Sequence, residues 1–342
     1  MCGEAVLDLI SDGSPRGYQA RAGGSPLNVA VGTARLGLPT SLLARLGSGI
    51  GGRLLRSQAA DSGVDLSLSV SAQQPVMLAL VSLDSTGDAD YDFYVDGTAE
   101  SGWQHDELPD PLPETVEALH VGSIAAWRAP SADLIAELVL REHRRGAALI
   151  SFDPNLRPAL VEDPVGTRAR IEALVALVHL VKVSVDDLDW LYPGEQPDAA
   201  AQRWARAGPT LVVLTEGVHG VRAYRSDRLV RTDPPDPPES ADRLDRPDRP
   251  DRPGLSVPAH EVSVVDTVGA GDAFTAGLLA ALAEHGQLSP NGLAERSDAE
   301  LACVLASAGM VAALCCTRPG ADPPSRAERD AALARRTDEP LA

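Results

Sequence analysis

The chain has 342 residues, 44% apolar and 23% charged, a balance that belongs to a globular protein rather than a disordered one. Thirty Lys plus Arg against 49 Asp plus Glu leave a net charge of −19, which excludes broad electrostatic capture of nucleic acid or an anionic membrane. The length exceeds the roughly 250–300 residues at which one core stops growing, so a large α/β domain with a small appendage, or two domains, is expected.

Reading from the N-terminus, Ala5–Ile10 is expected as a strand. Gly23-Gly24-Ser25-Pro26 then opens a helix running to about Leu36, with Ser25 as N-cap and Pro26 at the first helical position. Thr40–Leu46 is expected as a strand, followed by a Gly-rich turn and a helix to about Ala60. Val76–Leu83 and Asp90–Val95 flank Ser85-Thr86-Gly87-Asp88 and are expected to form a hairpin, with Tyr91, Phe93 and Val95 on one face. His120–Ile124, Ala147–Phe152, Leu180–Ser184 and Leu211–Thr215 follow as strands with helices between, the order of a mainly parallel sheet. Asp233–Gly254, with its Pro-Pro-Asp-Pro-Pro run and threefold Asp-Arg-Pro repeat, cannot bury a core and is expected as a solvated insertion. Glu261–Val265 is expected as a further strand, Gly271–Glu284 and Asp298–Cys316 as helices, and the tail after Asp322 as peripheral.

Several chemistries are excluded at once. Lys182 is the only lysine and sits in Val181-Lys182-Val183, so there is no Gly-Lys-Ser/Thr phosphate loop and no protein-kinase lysine strand. Cys2, Cys303, Cys315 and Cys316 form no CxxC pair and no HExxH occurs, so neither zinc nor a disulfide framework is expected. Met1-Cys2-Gly3-Glu4 carries no basic, apolar leader, and no uninterrupted apolar run approaches the roughly 18 residues of a membrane span. A cytoplasmic protein is expected. Gly47-Ser48-Gly49-Ile50-Gly51-Gly52 matches a dinucleotide fingerprint, but Asp65 precedes the next apolar run instead of closing it. A tight strand-to-helix turn accounts for those glycines better than an oxidoreductase site.

The strongest segment is Val264-Val265-Asp266-Thr267-Val268-Gly269-Ala270-Gly271-Asp272-Ala273-Phe274. A small-residue turn entering an apolar helix brings backbone N–H groups and the positive end of the helix dipole to an anion. Asp272 in the first turn is then placed to take a proton from a hydroxyl attacking a bound phosphoryl group. A second polar cluster, Glu4, Asp8, Gly23, Gly24 and Asn28, is expected where strand ends meet ligands, with Asp8 closing a strand and Asn28 in a first helical turn.

Gly23-Gly24-Ser25-Pro26-Leu27-Asn28-Val29-Ala30 and Asp266–Asp272 resemble the two signatures of the ribokinase-like PfkB carbohydrate kinases. The resemblance runs from Gly3 to about Pro323, and Ser151-Phe152-Asp153-Pro154-Asn155-Leu156-Arg157-Pro158 is most similar to fructokinases. It implies one three-layer α/β/α domain over 1–342 with a mainly parallel sheet, a small β-sheet lid from about 11–22 and 76–97, and an insertion at about 234–254. It also implies ATP-dependent phosphorylation of a primary hydroxyl of a small sugar, fructose first and 2-keto-3-deoxygluconate or another sugar or nucleoside as rivals. A nucleotide- or sugar-binding regulator without turnover is the non-enzymatic rival.

By the same resemblance Asp272 is the base and Gly269, Ala270 and Gly271 form the anion hole. Asp8, Gly23, Gly24, Asn28, Phe93 and Arg157 meet the sugar, Arg157 also serving the transferred phosphate. Lys182, Ser184, Thr215, Gly217 and Gly220, with Gly269 and Gly271, face ATP. Mg²⁺ is implied with Asp187 acting indirectly, K⁺ at Asp266, and a homodimer through the lid. Ser184-Val185-Asp186-Asp187 departs from the Asn-x-x-Glu usual in the family at this place.

Overall fold

A computed structural model of the chain describes residues 1–11, 13–14, 16–83, 89–226, 254–286 and 288–337. The hairpin turn at 85–88 and nearly all of the Pro-rich insertion lie outside the described residues. In chain order the first elements are β1 (Val6–Ser11), β2 (Tyr18–Gly23), α1 (Ser25–Arg35), β3 (Arg45–Gly47) and α2 (Ile50–Asp61). Next come β4 (Val70–Ala72), β5 (Met77–Leu83), β6 (Ala89–Tyr94), β7 (Ala118–Gly122), α3 (Ile124–Trp127) and α4 (Ser131–Arg145). They are followed by β8 (Leu149–Asp153), α5 (Pro164–Val175), β9 (Leu180–Ser184), α6 (Val185–Leu191), α7 (Pro197–Ala207) and β10 (Leu211–Thr215). The last are β11 (Val221–Arg225), β12 (Leu255–Val257), α8 (Ala270–Glu284), α9 (Pro290–Ala294), α10 (Asp298–Cys316) and α11 (Arg326–Thr337).

The main sheet has the order β12-β11-β10-β9-β8-β7, parallel from β7 to β10 and antiparallel beyond. Its central strands are mainly apolar, interrupted inside by Ser151 on β8 and Lys182 on β9, because both faces are covered. Val212 and Leu214 join Phe152, Leu138, Ile171 and Trp204 on one side, whereas Leu211 and Val213 join Leu149, Leu278 and Leu305 on the other. This is a three-layer α/β/α arrangement. Cys2 extends the sheet past β7, bridging Val121 and Leu43 in parallel.

A second, four-stranded sheet has the order β2-β1-β5-β6. Its strands β1 and β5 run parallel and the outer pairs antiparallel. The run expected at Ala5–Ile10 therefore belongs to this small sheet, and Asp8 lies within β1, opposite Arg21 and Ala79, rather than at a strand end.

The strand expected at Glu261–Val265 does not form. The sheet instead takes Leu255–Val257, which pairs with Val221–Ala223, and the chain then leaves for the C-terminal end of α10. There the N–H groups of Val265 and Asp266 donate to the Cys316 carbonyl at 2.8 and 3.2 Å, leaving Val264 and Val265 58% and 63% exposed. An apolar run alone does not make a strand without an edge to pair with.

Among the described residues α10 is the one helix long and apolar enough to cross a membrane by length and composition, and it packs in the core against α8. Helix α8 is buried along nearly its whole length, and α10 turns about half of its residues into the core.

Candidate active site

Close helix packing fixes where the site stands. A Cβ on Gly32 of α1 would come within 2.6 Å of the Ala276 Cβ on α8. One on Gly277 would come within 2.9 Å of the Ala308 Cα on α10. Helix α8 is thus clamped between α1 and α10 at near-backbone distance, and its start is held against the start of α1.

Asp272, in the first turn of α8, is 7% exposed. Ser25 Oγ donates to its Oδ1 at 2.6 Å, Asn28 Nδ2 to its Oδ2 at 2.8 Å, and Asn155 Nδ2 to Oδ1 at 3.5 Å. Burial pushes the carboxyl above the usual range, while Ser25, Asn28, Lys182 and Arg157 pull it back. The result is an oriented, solvent-shielded carboxylate whose proton affinity is raised, which is what a general base requires.

The turn before Asp272 holds an anion-binding geometry. Gly269 caps α8 at φ 75°, where a side chain would be strained and would strike Ala321. The Ala270 N–H is spent on the Thr267 carbonyl at 3.2 Å. The N–H groups of Gly271 and Asp272 have no intrahelical carbonyl to bond, as at any helix start. A Cβ on Gly271 would meet Lys182 Nζ at 2.9 Å, so the lysine faces the same turn. Lys182 is 5% exposed and donates to Asp153 Oδ2 at 3.0 Å. Burial pulls its ammonium down, but Asp153, Asp187 and Asp272 more than reverse this and it stays charged.

Across the cleft, Asp8 is half-buried on β1 and pressed against Gly23, where a Cβ would strike its carboxylate. Gly24 at φ 93° lies so close to the backbone of Glu4, Ala5 and Val6 that a Cβ would meet it at 2.9 Å. Burial pushes Asp8 up to about 6, opposed by Arg157 and assisted by Asp272. Arg157 Nη1 donates to Asn155 Oδ1 at 2.7 Å and to the carbonyls of Leu156 and Asn155 at 2.8 and 3.2 Å. Asn155, at φ 38°, so links Arg157 to Asp272. From β6 the rings of Tyr91 and Phe93 stack at 5.6 Å, and Tyr91 feels Arg157, Asp8 and Asp266.

The residues expected on the nucleotide side spread along the strand ends. Ser184 caps α6 in a reciprocal box: it accepts from the Asp187 N–H at 3.0 Å and donates its own N–H and hydroxyl to Asp187 Oδ2 at 3.1 and 2.6 Å. Asp187 Oδ1 accepts the Leu156 N–H at 2.8 Å, which pins the Arg157 loop. Thr215 closes β10 and Gly217 stands in open space, whereas a Cβ on Gly220 would strike the Val257 carbonyl. Asp266 accepts from the N–H groups of Val268 at 3.0 Å and Gly320 at 2.7 Å, tying the turn before α8 to the loop after α10.

Ser25, expected as an N-cap, is instead the first residue of α1 behind Gly24, and no side chain caps that helix. Its hydroxyl is spent on Asp272. Glu4 is not hydrogen-bonded to Asp8: its Oε2 accepts the Ala125 N–H at 3.0 Å. Ser25, Asp153, Asn155 and Tyr91 carry contacts that sequence reasoning did not assign to the site. The one available signal was Asn155, a polar residue two positions before Arg157.

The glycines of the Gly47–Gly52 turn are explained by packing, since a Cβ on Gly52 would overlap the Gly47 carbonyl and one on Gly51 would press on Val76.

The family model of the pfkB family carbohydrate kinases matches residues 3–242 and 252–328. A fructokinase of Rhizobium leguminosarum bv. trifolii is 33% identical over 303 residues, 88% of this chain and 84% of that one. The crystal structure of a Xylella fastidiosa fructokinase with bound ATP superposes with a TM-score of 0.83 at 27% identity, covering 98% of both chains. A Vibrio cholerae O395 fructokinase with bound fructose, ADP and calcium superposes with a TM-score of 0.77 at 27% identity, covering 96% of both. The fold is therefore the ribokinase-like one, and the chain belongs to the PfkB family of carbohydrate kinases, phosphotransferases with an alcohol group as acceptor.

Proposed function

We propose that the chain is a cytoplasmic enzyme that transfers the γ-phosphoryl group of ATP to a primary hydroxyl of D-fructose. The observation that carries this reading is Asp272, held by Ser25 and Asn28 beside a helix start that Lys182 faces. Asp272 accepts the proton of the attacking hydroxyl. The N–H groups at the start of α8, with Lys182, oppose the charge on the transferred group. Asp8 and Asn28 hold sugar hydroxyls, Gly23 and Gly24 let the chain approach them, and Tyr91 and Phe93 of the small sheet cover the sugar as a lid. Arg157 reaches the sugar or the phosphate from the loop that Asn155 and Asp187 brace.

Lys182, Ser184, Thr215, Gly217 and Gly220 face the nucleotide, and the cradle at Gly271, which a Cβ would fill, fits its terminal phosphate. Mg²⁺ would screen the phosphate charges. Asp187, with both oxygens already accepting hydrogen bonds, would act on it through water. Asp266 pins the loop against which K⁺ would sit. Tyr18, half-exposed on the edge strand β2, supports pairing of two chains through the lid, which a light-scattering mass would test.

The test is ADP release with ATP over a panel of sugars. Fructose is expected to be the best acceptor. No release with any sugar would leave a binding regulator. The second reading, 2-keto-3-deoxygluconate, is favoured by Arg157 alone, whose guanidinium suits a carboxylate. Arg157→Ala separates the two. With the keto acid as substrate its KM should rise far more than that of a neutral sugar. With fructose, kcat should fall at little change in KM.

A further inference from the structure

Lys182, the only lysine of the chain, is buried on β9, and its ammonium has three protons to donate. Among the described residues it makes one hydrogen bond, to Asp153 Oδ2. Nζ lies where a Cβ on Gly271 would meet it, so its remaining donors stand beside the turn before α8. Asp153 is 0% exposed and closes β8. Phe152 of β8 pairs in parallel with Val181 of β9, and the next residues, Asp153 and Lys182, fall side by side on one face of the sheet.

Three carboxylates act on the ammonium, and two of them are committed elsewhere. Asp187 accepts from Leu156 and Ser184, and Asp272 from Ser25, Asn28 and Asn155. Asp153 spends Oδ1 on the Asn155 N–H at 3.2 Å and gives Oδ2 to the lysine. From β7, His120 bonds Ser151 through Nδ1 at 2.9 Å and is held neutral, down to about 3, by burial, the Met1 ammonium and Lys182. Burial pushes the Asp153 carboxyl up to about 6, Lys182 draws it down, and Asp187 and Asp272 push it up, so it is ionised at neutral pH. A buried ammonium that loses its hydrogen-bonded counter-charge gives up its proton more readily, because a low dielectric favours the neutral amine. Full burial keeps Asp153 from touching a substrate, so any part it has in the chemistry passes through Lys182.

On the phosphoryl-transfer reading given above, we propose that Asp153 is a positioning residue: it fixes the Lys182 ammonium at the anion turn and keeps it charged there. The charge that opposes the transferred group is then set by two adjacent strands of the main sheet rather than by a mobile side chain at the cleft mouth. Through Oδ1 the same carboxylate braces Asn155, which holds Arg157, so both cations of the cleft share one anchor.

A single lysine gives a single side-chain signal, so NMR of protein labelled with ¹³C,¹⁵N-lysine reports the charge of Lys182 directly. The wild-type signal should keep its ammonium position to about pH 10. In Asp153→Asn, which keeps the size of the side chain and an acceptor, the midpoint should fall by about one to three pH units. The kcat of that variant should trail the wild type by a margin that widens as pH rises. One pH unit above the new midpoint, where about one lysine in ten is charged, the deficit should reach at least about tenfold. A purely structural pair would cost the same activity at every pH. An Asp153→Asn midpoint no lower than that of the wild type, or a loss of kcat that does not vary with pH, would overturn the role of Asp153 with the kinase reading intact. So would a wild-type lysine that titrates below the ordinary range, a result that needs no variant to fold. The lysine signal requires neither sugar nor turnover: a wild type inactive on every sugar but with the expected midpoints would overturn the kinase reading, and the positioning role with it.

Discussion

The two sides of the cleft are built by different means. Asp272 stands on a helix clamped at near-backbone distance on both flanks, and its oxygens are taken by side chains from Ser25, Asn28 and Asn155. The facing sheet offers Asp8, Tyr91 and Phe93 from strands whose outer faces are exposed, Tyr18 on β2 at 50% and Tyr94 on β6 at 56%. On the proposed reading, the base, which must meet a proton within a few tenths of an ångström, is set in packed helices, and the groups that would admit and enclose the substrate are set on a thin sheet.

Apart from loss of the base itself, the largest effect is expected on the sheet side. Asp8→Asn removes a charged acceptor, worth about 1.5–3 kcal/mol per hydrogen bond, so sugar KM should rise roughly tenfold to a hundredfold. The pH profile sharpens the point. Burial raises Asp8 to about 6 and raises Asp272 above its ordinary value, so both carboxyls take up protons at higher pH than a free aspartate as pH falls. Wild-type kcat/KM should therefore begin to fall below about pH 6 and steepen toward a slope of two once both carboxyls are protonated, whereas Asp8→Asn should keep a slope near one. A slope of one in both proteins would remove Asp8 from the titration.

The clamp is tested by Gly277→Ala. Helix propensity alone would stabilise α8 by about 1 kcal/mol. The 2.9 Å approach to the Ala308 backbone predicts the opposite sign, a loss of about 1–3 kcal/mol by denaturant unfolding. A more stable Gly277→Ala protein would show that the packing has slack. The smallest effect is expected from Phe93→Ala, which loses the Tyr91 stack of about 0.5–1.5 kcal/mol and should raise sugar KM severalfold with kcat kept. An unchanged KM would place the ring away from the substrate.

The difference between the two sides also explains what could be read beforehand. The turn before α8 and the Gly23–Asn28 turn declare themselves, because close approach to an anion or a backbone leaves few residue types that fit. Ser25 reads as a cap because a serine before a helical proline has two uses, and only the distant Asp272 decides between them. Glu4 groups with Asp8 in sequence because both lie near the start of the chain, yet its carboxylate turns to Ala125, 121 residues on. The strand expected at Glu261–Val265 failed for a related reason: its valines look buried in one dimension, and the lack of a sheet edge there is a fact of topology. Local patterns carry backbone geometry; long-range partners carry the role of each polar group.

The central claim is that Asp272 takes the proton of the acceptor hydroxyl, and single-turnover kinetics of Asp272→Asn tests it most directly. Asn keeps the size of the side chain and one acceptor oxygen, so ATP binding and the unfolding transition should match the wild type. The rate of phosphoryl transfer to fructose should fall by roughly 10²–10⁴, the worth of a positioned base. Transfer at close to the wild-type rate by a folded, ATP-binding Asp272→Asn protein would contradict the account.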